Sequence, residues 1–191
     1  MINKAKFYKI IRKDFGRLNQ KQVEGFEAII NEWDITKYSD IRWLAYMLAT
    51  VWHETAKTVQ PIEEFGKGRK FTYGKKIKFS RVPYTVPNKI YYGRGFVQLT
   101  WYENYELLGR LLKVDLLNNP ELALNMEIST KILFEGMTKG NSNRGDFTGR
   151  SLEKYFNSKT EDPINARKII NGLDKAELIA IYYLSFKQAL L

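Results

Sequence analysis

Apolar residues recur at helical spacing through the first third of the chain. Phe7, Ile10, Ile11 and Phe15 share one face of a segment running from Ala5 to about Phe15. Val23, Phe26, Ile29, Ile30 and Trp33 mark a second segment, with Asn19 or a neighbour placed to cap its first turn. Ser39 and Asp40 open a third, whose buried face carries Leu44, Met47, Leu48 and Val51. Pro61 predicts its end near Gln60, because the residue before a proline is driven out of the α region. The rhythm then breaks. Gly66, Gly68, Gly74, Pro83, Pro87, Gly93 and Gly95 punctuate short β-prone pieces, Lys70–Tyr73 and Ile77–Val82, which predict an irregular β-hairpin lobe over about 65–95. Helical periodicity returns over Tyr102–Leu112, Glu121–Met137, Ser151–Phe156 and from Asp174 to the C-terminus, with a loop over Gly136–Gly149.

The expected fold class is therefore mainly α (α+β): one domain over 1–191, with a small β lobe beside a cleft and no separate wall-binding domain. No repeat, low-complexity tract or linker interrupts it. At 191 residues the chain is long enough for one well-buried core. Met1–Arg17 mixes Lys, Arg and Asp with apolar residues, so no export signal is expected there. The longest apolar run, Leu178–Leu184, is too short to span a bilayer and reads as part of a buried terminal helix.

Composition closes off several chemistries. The chain has no cysteine and one histidine, His53, which removes thiol nucleophiles, thiolate metal sites and any His-rich zinc centre. A Ser-His-Asp triad would depend on His53, and no G-x-S-x-G elbow supplies its serine. No metal or cofactor is expected. The formal charge of +10 implies an anionic partner. The basic residues read as scattered, without zinc-finger, RNP-like or Arg-rich signatures, so nucleic acid is not the expected partner. An anionic bacterial envelope suits the charge as well.

What remains is carboxylate chemistry. Glu54, in His53-Glu54-Thr55, lies three residues beyond Val51 and seven beyond Met47, on the apolar side of its helix. Lost solvation there favours the protonated form of a carboxyl group. Glu63 follows nine positions later on the loop leaving that helix, with Glu64 beside it as a rival that spacing alone does not exclude. Two carboxyl groups in different environments facing one cleft suit glycosidic cleavage. Gly93-Arg94-Gly95 lacks a dinucleotide fingerprint's third glycine and reads as a tight turn aiming Gln98 and Thr100 at the cleft. Trp101 and Tyr105 are candidates for sugar stacking or for core, and the Leu107, Leu108, Leu111, Leu112 stripe reads as core.

Three motifs occur in order: His53-Glu54-Thr55 with Glu63; Tyr92-Gly93-Arg94-Gly95-x-x-Gln98-Leu99-Thr100-Trp101; and Ile169-Ile170-Asn171-Gly172. Arg42–Thr50, Gln60–Glu64, Phe147-Thr148-Gly149 and Asp162-Pro163-x-Asn165-Ala166-Arg167 accompany them. In these the chain resembles the phage-endolysin branch of glycoside hydrolase family 19, the chitinase-like lysozymes, over nearly its whole length. The resemblance implies a lysozyme-like fold and an inverting mechanism. It implies Glu54 as general acid, Glu63 rather than Glu64 as general base, and Thr100 as the hydroxyl that helps hold the attacking water. Gln98, Asn104 and Asn171 match sugar-binding positions, and His53 is placed with them, as a hydrogen-bonding residue behind the acid. The chain departs from the family's chitinases at Glu103, where they carry Tyr, and near Leu173–Glu177, where the acidic residue and Arg that buttress the acid are not assignable.

The implied activity is hydrolysis of β-1,4 bonds between the amino sugars of peptidoglycan, lysing a bacterial host. The alternatives are a chitinase on GlcNAc polymers and a non-catalytic basic protein binding wall or nucleic acid. A monomer is expected, held in the host cytoplasm until a holin opens the inner membrane.

Overall fold

The computed structural model describes residues 2–138 and 147–191. Short polar side chains start its first three helices by accepting backbone N–H groups that have no intrahelical partner. Asn3 caps α1 (Lys4–Phe15), and Asp40 caps α3 (Ile41–Glu54). Asn19 and Gln22 form a reciprocal capping box at the head of α2 (Gln20–Ile35). Four further helices follow among the described residues: α4 (Tyr102–Leu112), α5 (Met126–Thr138), α6 (Leu152–Tyr155) and α7 (Ala176–Leu190). Among the described residues, two antiparallel pairs of two-residue strands accompany the helices. β1 (Ile62–Glu63) pairs with β2 (Arg94–Gly95), and β3 (Phe156–Asn157) with β4 (Thr160–Glu161). The architecture is the expected mainly helical one.

The core is organised around α3. Every residue from Leu44 to Trp52 is buried, so this helix is enclosed on all sides rather than on the one face its periodicity predicts. α7 packs along both α3 and α1, and α2 and α5 close the remaining sides. Phe7, Phe15, Phe26, Trp52 and Phe186 meet where these helices converge, with ring centroids 4.9–6.5 Å apart. Such offset and edge contacts add to area burial as the main stabilising term. Of the α4 leucine stripe, Leu108 is fully buried while Leu107, Leu111 and Leu112 are only partly so. No helix among the described residues is long and apolar enough to cross a membrane.

Four expectations need correcting. First, α3 stops at Glu54, well short of Gln60. Proline is not the cause. The buried Thr55 hydroxyl donates to Val51 O (2.7 Å) and accepts the Val59 N–H (3.0 Å), folding the chain back on itself. Ala56, Lys57 and Val59 take positive φ, and Val59 packs so close to α2 that a Cβ on Gly25 would lie 1.8 Å from its carbonyl oxygen. Second, the lobe is a chain of turns rather than a β-hairpin. N–H groups of Lys67, Arg69, Phe71, Gly74 and Lys76 each bond a carbonyl three residues back, and Thr72–Lys75 forms a 3-10 turn. Ile77 makes an isolated bridge to Pro83 and Arg94 another to Leu99, and strand pairing in this region is otherwise confined to β1 and β2. Third, the 121–137 segment is divided: Pro120–Leu124 is a 3-10 helix, and the Asn125 side chain then accepts the Ile128 N–H (3.1 Å) to start α5. α5 runs to Thr138, so only Phe147–Gly149 of the expected loop falls among the described residues, along with the helical Gly136–Thr138. Fourth, the charge is not scattered. Phe65–Tyr102 holds nine of the 31 basic residues and none of the 21 acidic ones, so this segment alone carries +9 of the net +10.

Candidate active site

A cleft of about 770 Å³ separates the lobe from the helical body. Its walls combine carboxylates (Glu54, Glu103), amides and a hydroxyl (Gln98, Asn104, Asn171, Thr100) and aromatic rings (Phe71, Tyr73, Phe79, Trp101, Phe147). The mixture of apolar faces with a few convergent polar groups is that of a binding site.

Glu54 ends α3 and points into this cleft with its side chain 14% exposed. Its Oε1 accepts from Arg167 Nη1 at 2.5 Å, and Arg167 is itself 2% exposed. Arg167 belongs to the 3-10 helix Asn165–Ile169, and its Nε donates to Asp174 O at 2.8 Å, which fixes the guanidinium. This is the buttress that could not be assigned from Leu173–Glu177. It lay in the quoted Asp162–Arg167 motif, and its signal was an arginine at the apolar spacing Ala166, Ile169, Ile170.

Gln98, Thr100 and Asn104 stand together on the opposite wall. Arg94 and Leu99 exchange both backbone bonds (3.2 and 2.8 Å), closing a tight turn across residues 95–98. Two glycines are needed there. Gly95 has φ +86° and a Cβ on it would lie 2.8 Å from Ala123 O and Ser129 Oγ, while a Cβ on Gly93 would lie 2.8 Å from Gln98 Oε1. Gln98 Nε2 donates to Ile62 O (3.0 Å), Asn104 Nδ2 to Thr100 O (2.9 Å), and Thr100 Oγ1 to Gln98 O (2.7 Å). The Thr100 proton is thereby committed, leaving its lone pairs to accept from a donor in the cleft. Beneath the turn, Arg94 is buried, donating to Ile90 O, Tyr92 O and Tyr105 Oη and stacking 3.5 Å over the Tyr92 ring. Tyr105 is core, whereas Trp101 lines the cleft, edge-on to Tyr73 (5.1 Å) and Phe79 (5.4 Å).

Asn171 reaches the cleft from the turn after Arg167, where Gly172 takes φ +51°. Phe147 packs over Gly136, where any Cβ would meet its ring at 2.0 Å, and Thr148 Oγ1 donates to Lys168 O at 2.9 Å.

Three candidates, Glu63, its rival Glu64 and His53, are not brought to the cleft lining. Glu63 lies in β1 with its side chain 39% exposed; its carboxylate accepts from Lys67 Nζ (2.9 Å) and Tyr92 Oη (2.8 Å). These two bonds, Lys67 first, hold its carboxyl below the usual carboxylate range. Glu64, just past β1, accepts from Tyr73 Oη (3.0 Å) and the Gly93 N–H (3.2 Å) and is likewise outside the lining. His53 is half-buried in the last turn of α3, where desolvation lowers its pKa; its ring makes no hydrogen bond among the described residues. No cluster of three metal-ligating side chains occurs among the described residues.

Glu103, the departure from the family pattern, is a structural clamp. Its carboxylate accepts the N–H groups of Phe79 and Ser80 (both 3.0 Å) and the Ser80 hydroxyl (2.9 Å), tying the lobe tip to the first turn of α4. Burial raises its pKa, but these donors outweigh it and the net shift is downward. The aromatic residues Phe71, Tyr73 and Phe79 went unrecognised because the lobe's turns carry no period from which a face can be read.

The family model described as chitinase class I, glycoside hydrolase family 19, matches residues 25–146. This chain belongs to glycoside hydrolase family 19. Within the family, it is 55% identical to endochitinase 1 of Theobroma cacao over 50 residues, 26% of this chain and 16% of that protein. It is 36% identical to an endochitinase of Arabidopsis thaliana over 81 residues, 42% of this chain and 29% of that one. These matches span less than a third of the plant proteins' length. Chitinase C from Streptomyces griseus superposes over 99% of this chain and 92% of its own, with a TM-score of 0.63 and 22% identity. A class IV chitinase from Zea mays superposes over 96% and 90%, with a TM-score of 0.61 and 22% identity. At that identity the superpositions establish the fold.

Proposed function

We propose that the chain is a peptidoglycan hydrolase that cleaves β-1,4 bonds between amino sugars by single displacement with inversion. The observation that carries this reading is Glu54, among the described residues the one cleft carboxylate whose oxygens are not spent on holding the lobe, set by Arg167 opposite Gln98, Thr100 and Asn104. Glu54 donates its proton to the glycosidic oxygen as the bond to the anomeric carbon breaks. Glu63, ionised at neutral pH, takes a proton from the water that attacks the opposite face, and the Thr100 lone pairs orient that water. Glu63 holds this role on the family motif. Its carboxylate is engaged by Lys67 and Tyr92, so acting as base requires it to exchange the lysine for water.

The peptidoglycan reading rests on the net charge of +10, which favours an anionic wall over neutral chitin. In this reading the protein is an endolysin, held in the host cytoplasm and admitted to the wall through a holin-opened membrane. A chitinase is the second reading, favoured by its plant and bacterial relatives, which are chitinases. Reducing-sugar release from purified peptidoglycan and from chitin oligomers separates them. Release from peptidoglycan supports the proposal, release from chitin alone reassigns the substrate, and release from neither removes the catalytic reading.

A further inference from the structure

The segment that carries nearly all of the excess charge is also the segment that builds one wall of the cleft. Of its nine basic residues, Arg94 is buried and Lys67 pairs with Glu63. The other seven, Arg69, Lys70, Lys75, Lys76, Lys78, Arg81 and Lys89, meet no carboxylate among the described residues. Like charges gathered this densely repel one another and are stabilised by a counter-charge from outside. Their position says what supplies it. Lys70 precedes Phe71, Lys75 follows Tyr73 by two residues and Lys78 precedes Phe79, and all three aromatic residues line the cleft. Lys78 sits 3.8 Å over the Tyr102 ring, at the foot of α4. The charged segment, here called the rim, thus shares its chain with the wall of a groove that offers rings and amides, a surface on which sugar rings can lie.

We propose that these cations read carboxylates borne by the substrate strand itself, so that the lobe selects an anionic glycan whose acidic substituents project beyond the cleft. This rests on the reading of the chain as a peptidoglycan hydrolase and assigns the lobe as its specificity element. Carboxylates on the sugars, or on peptides attached to them, meet the rim while the sugar rings lie on the aromatic wall. Phosphate polymers of the wall would bring the same kind of charge without entering the cleft.

The test compares two fourfold variants in the full chain. One neutralises the rim (K70Q, K75Q, R81Q, K89Q), and the other removes the same charge from exposed positions on and beside α1 (K6Q, K9Q, K13Q, R17Q). Purified sacculi are stripped of phosphate polymers with hydrofluoric acid, and half are then amidated to neutralise their carboxylates. Cosedimentation gives affinity, and reducing-sugar release gives kcat/KM. At low salt the rim variant should bind and cleave stripped sacculi about tenfold less well than wild type, the scale of electrostatic steering into a charged cleft. The α1 variant should lose less than about a third of that on a logarithmic scale, and amidation should abolish the difference between rim variant and wild type. Equal losses in the two variants, or a rim deficit that survives amidation or disappears on removing phosphate polymers, would overturn the proposal. Wild type that binds stripped sacculi through the rim yet releases no sugar would instead overturn the hydrolase reading and leave the binding assignment standing.

Discussion

The helical body and the lobe are built by different means. In the body, α1, α2, α3 and α7 bury rings against one another, and acidic and basic residues nearly balance. In the lobe Phe65, Phe71 and Phe79 lie at the surface while Tyr84, Tyr91 and Tyr92 are buried, the backbone runs from turn to turn, and shape depends on a few polar clamps. Glu64 holds Tyr73 and the Gly93 N–H, Glu103 holds Phe79 and Ser80, and Arg94 holds three oxygens. Packing is distributed over many contacts, so the body yields only when much of it does. A clamp is a single point of failure, so the lobe can lose its geometry while the body stays folded.

The largest expected effect is at the junction of the two regions. Glu54→Gln keeps a hydrogen-bond acceptor for Arg167 but has no proton to give, so kcat should fall by about 10²–10⁴-fold with the thermal transition little changed. A variant keeping more than about a tenth of the rate would remove Glu54 as the acid. Within the body, Phe186→Ala empties the centre of the aromatic cluster and should cost about 3–5 kcal/mol in urea unfolding. Specific activity of the molecules that remain folded should be close to wild type; a loss of activity in step with stability would mean that body and lobe do not separate. Glu103→Ala should do the reverse. With the lobe tip released, sugar release should drop about tenfold, since small misplacements in a binding wall are costly. Global stability should change by less than about 1 kcal/mol, because the opening is local. A cooperative loss of both would show that the lobe is part of the body's folding unit.

The smallest effect concerns pH. Glu63 must be ionised to act as base, and Lys67, then Tyr92, hold its folded pKa below the ordinary value. Activity should therefore persist as pH falls and be lost only below the usual carboxylate range. Lys67→Met should move the acidic limb of the kcat/KM profile upward, toward the ordinary carboxylate range. An unmoved limb would take Glu63, as bound here, out of the role of base. The stability carried by the same contact is lost in the same direction, as pH drops through the lowered pKa, and at this exposed site it is small.

The same division explains what could be read from the chain. α1 and α2 follow from Phe7, Ile11, Phe26 and Ile30 with Asn19 as a cap, and α4 was bounded correctly, because local period and tertiary burial agree there. The end of α3 was missed because it is set by Val59 lodging against Gly25, a contact 34 residues apart. The apolar spacing around Arg167 marks it as buried, but its pairing with Glu54 spans 113 residues and no local pattern names the partner. Gln98, Thr100, Asn104 and Asn171 come together at the cleft because their motifs encode tight turns. The lobe's aromatic wall had no such marker, since turns at Gly68, Lys76 and Arg81 place side chains by φ values rather than by period.

Of the four tryptophans, three lie away from the cleft: Trp33 and Trp52 are buried in the body, and Trp43 donates its indole N–H to Phe156 O at 2.9 Å. Trp101 alone faces the substrate groove, between Tyr73 and Phe79. Trp101 is thus placed as a built-in fluorophore whose emission should respond to occupancy of the groove while the other three supply a constant background. A ligand that stacks on the wall should shift the spectrum to the blue, and Trp101→Phe should silence that response. Titration by light then measures sugar affinity separately from turnover, including in the Glu54→Gln protein, where no product forms.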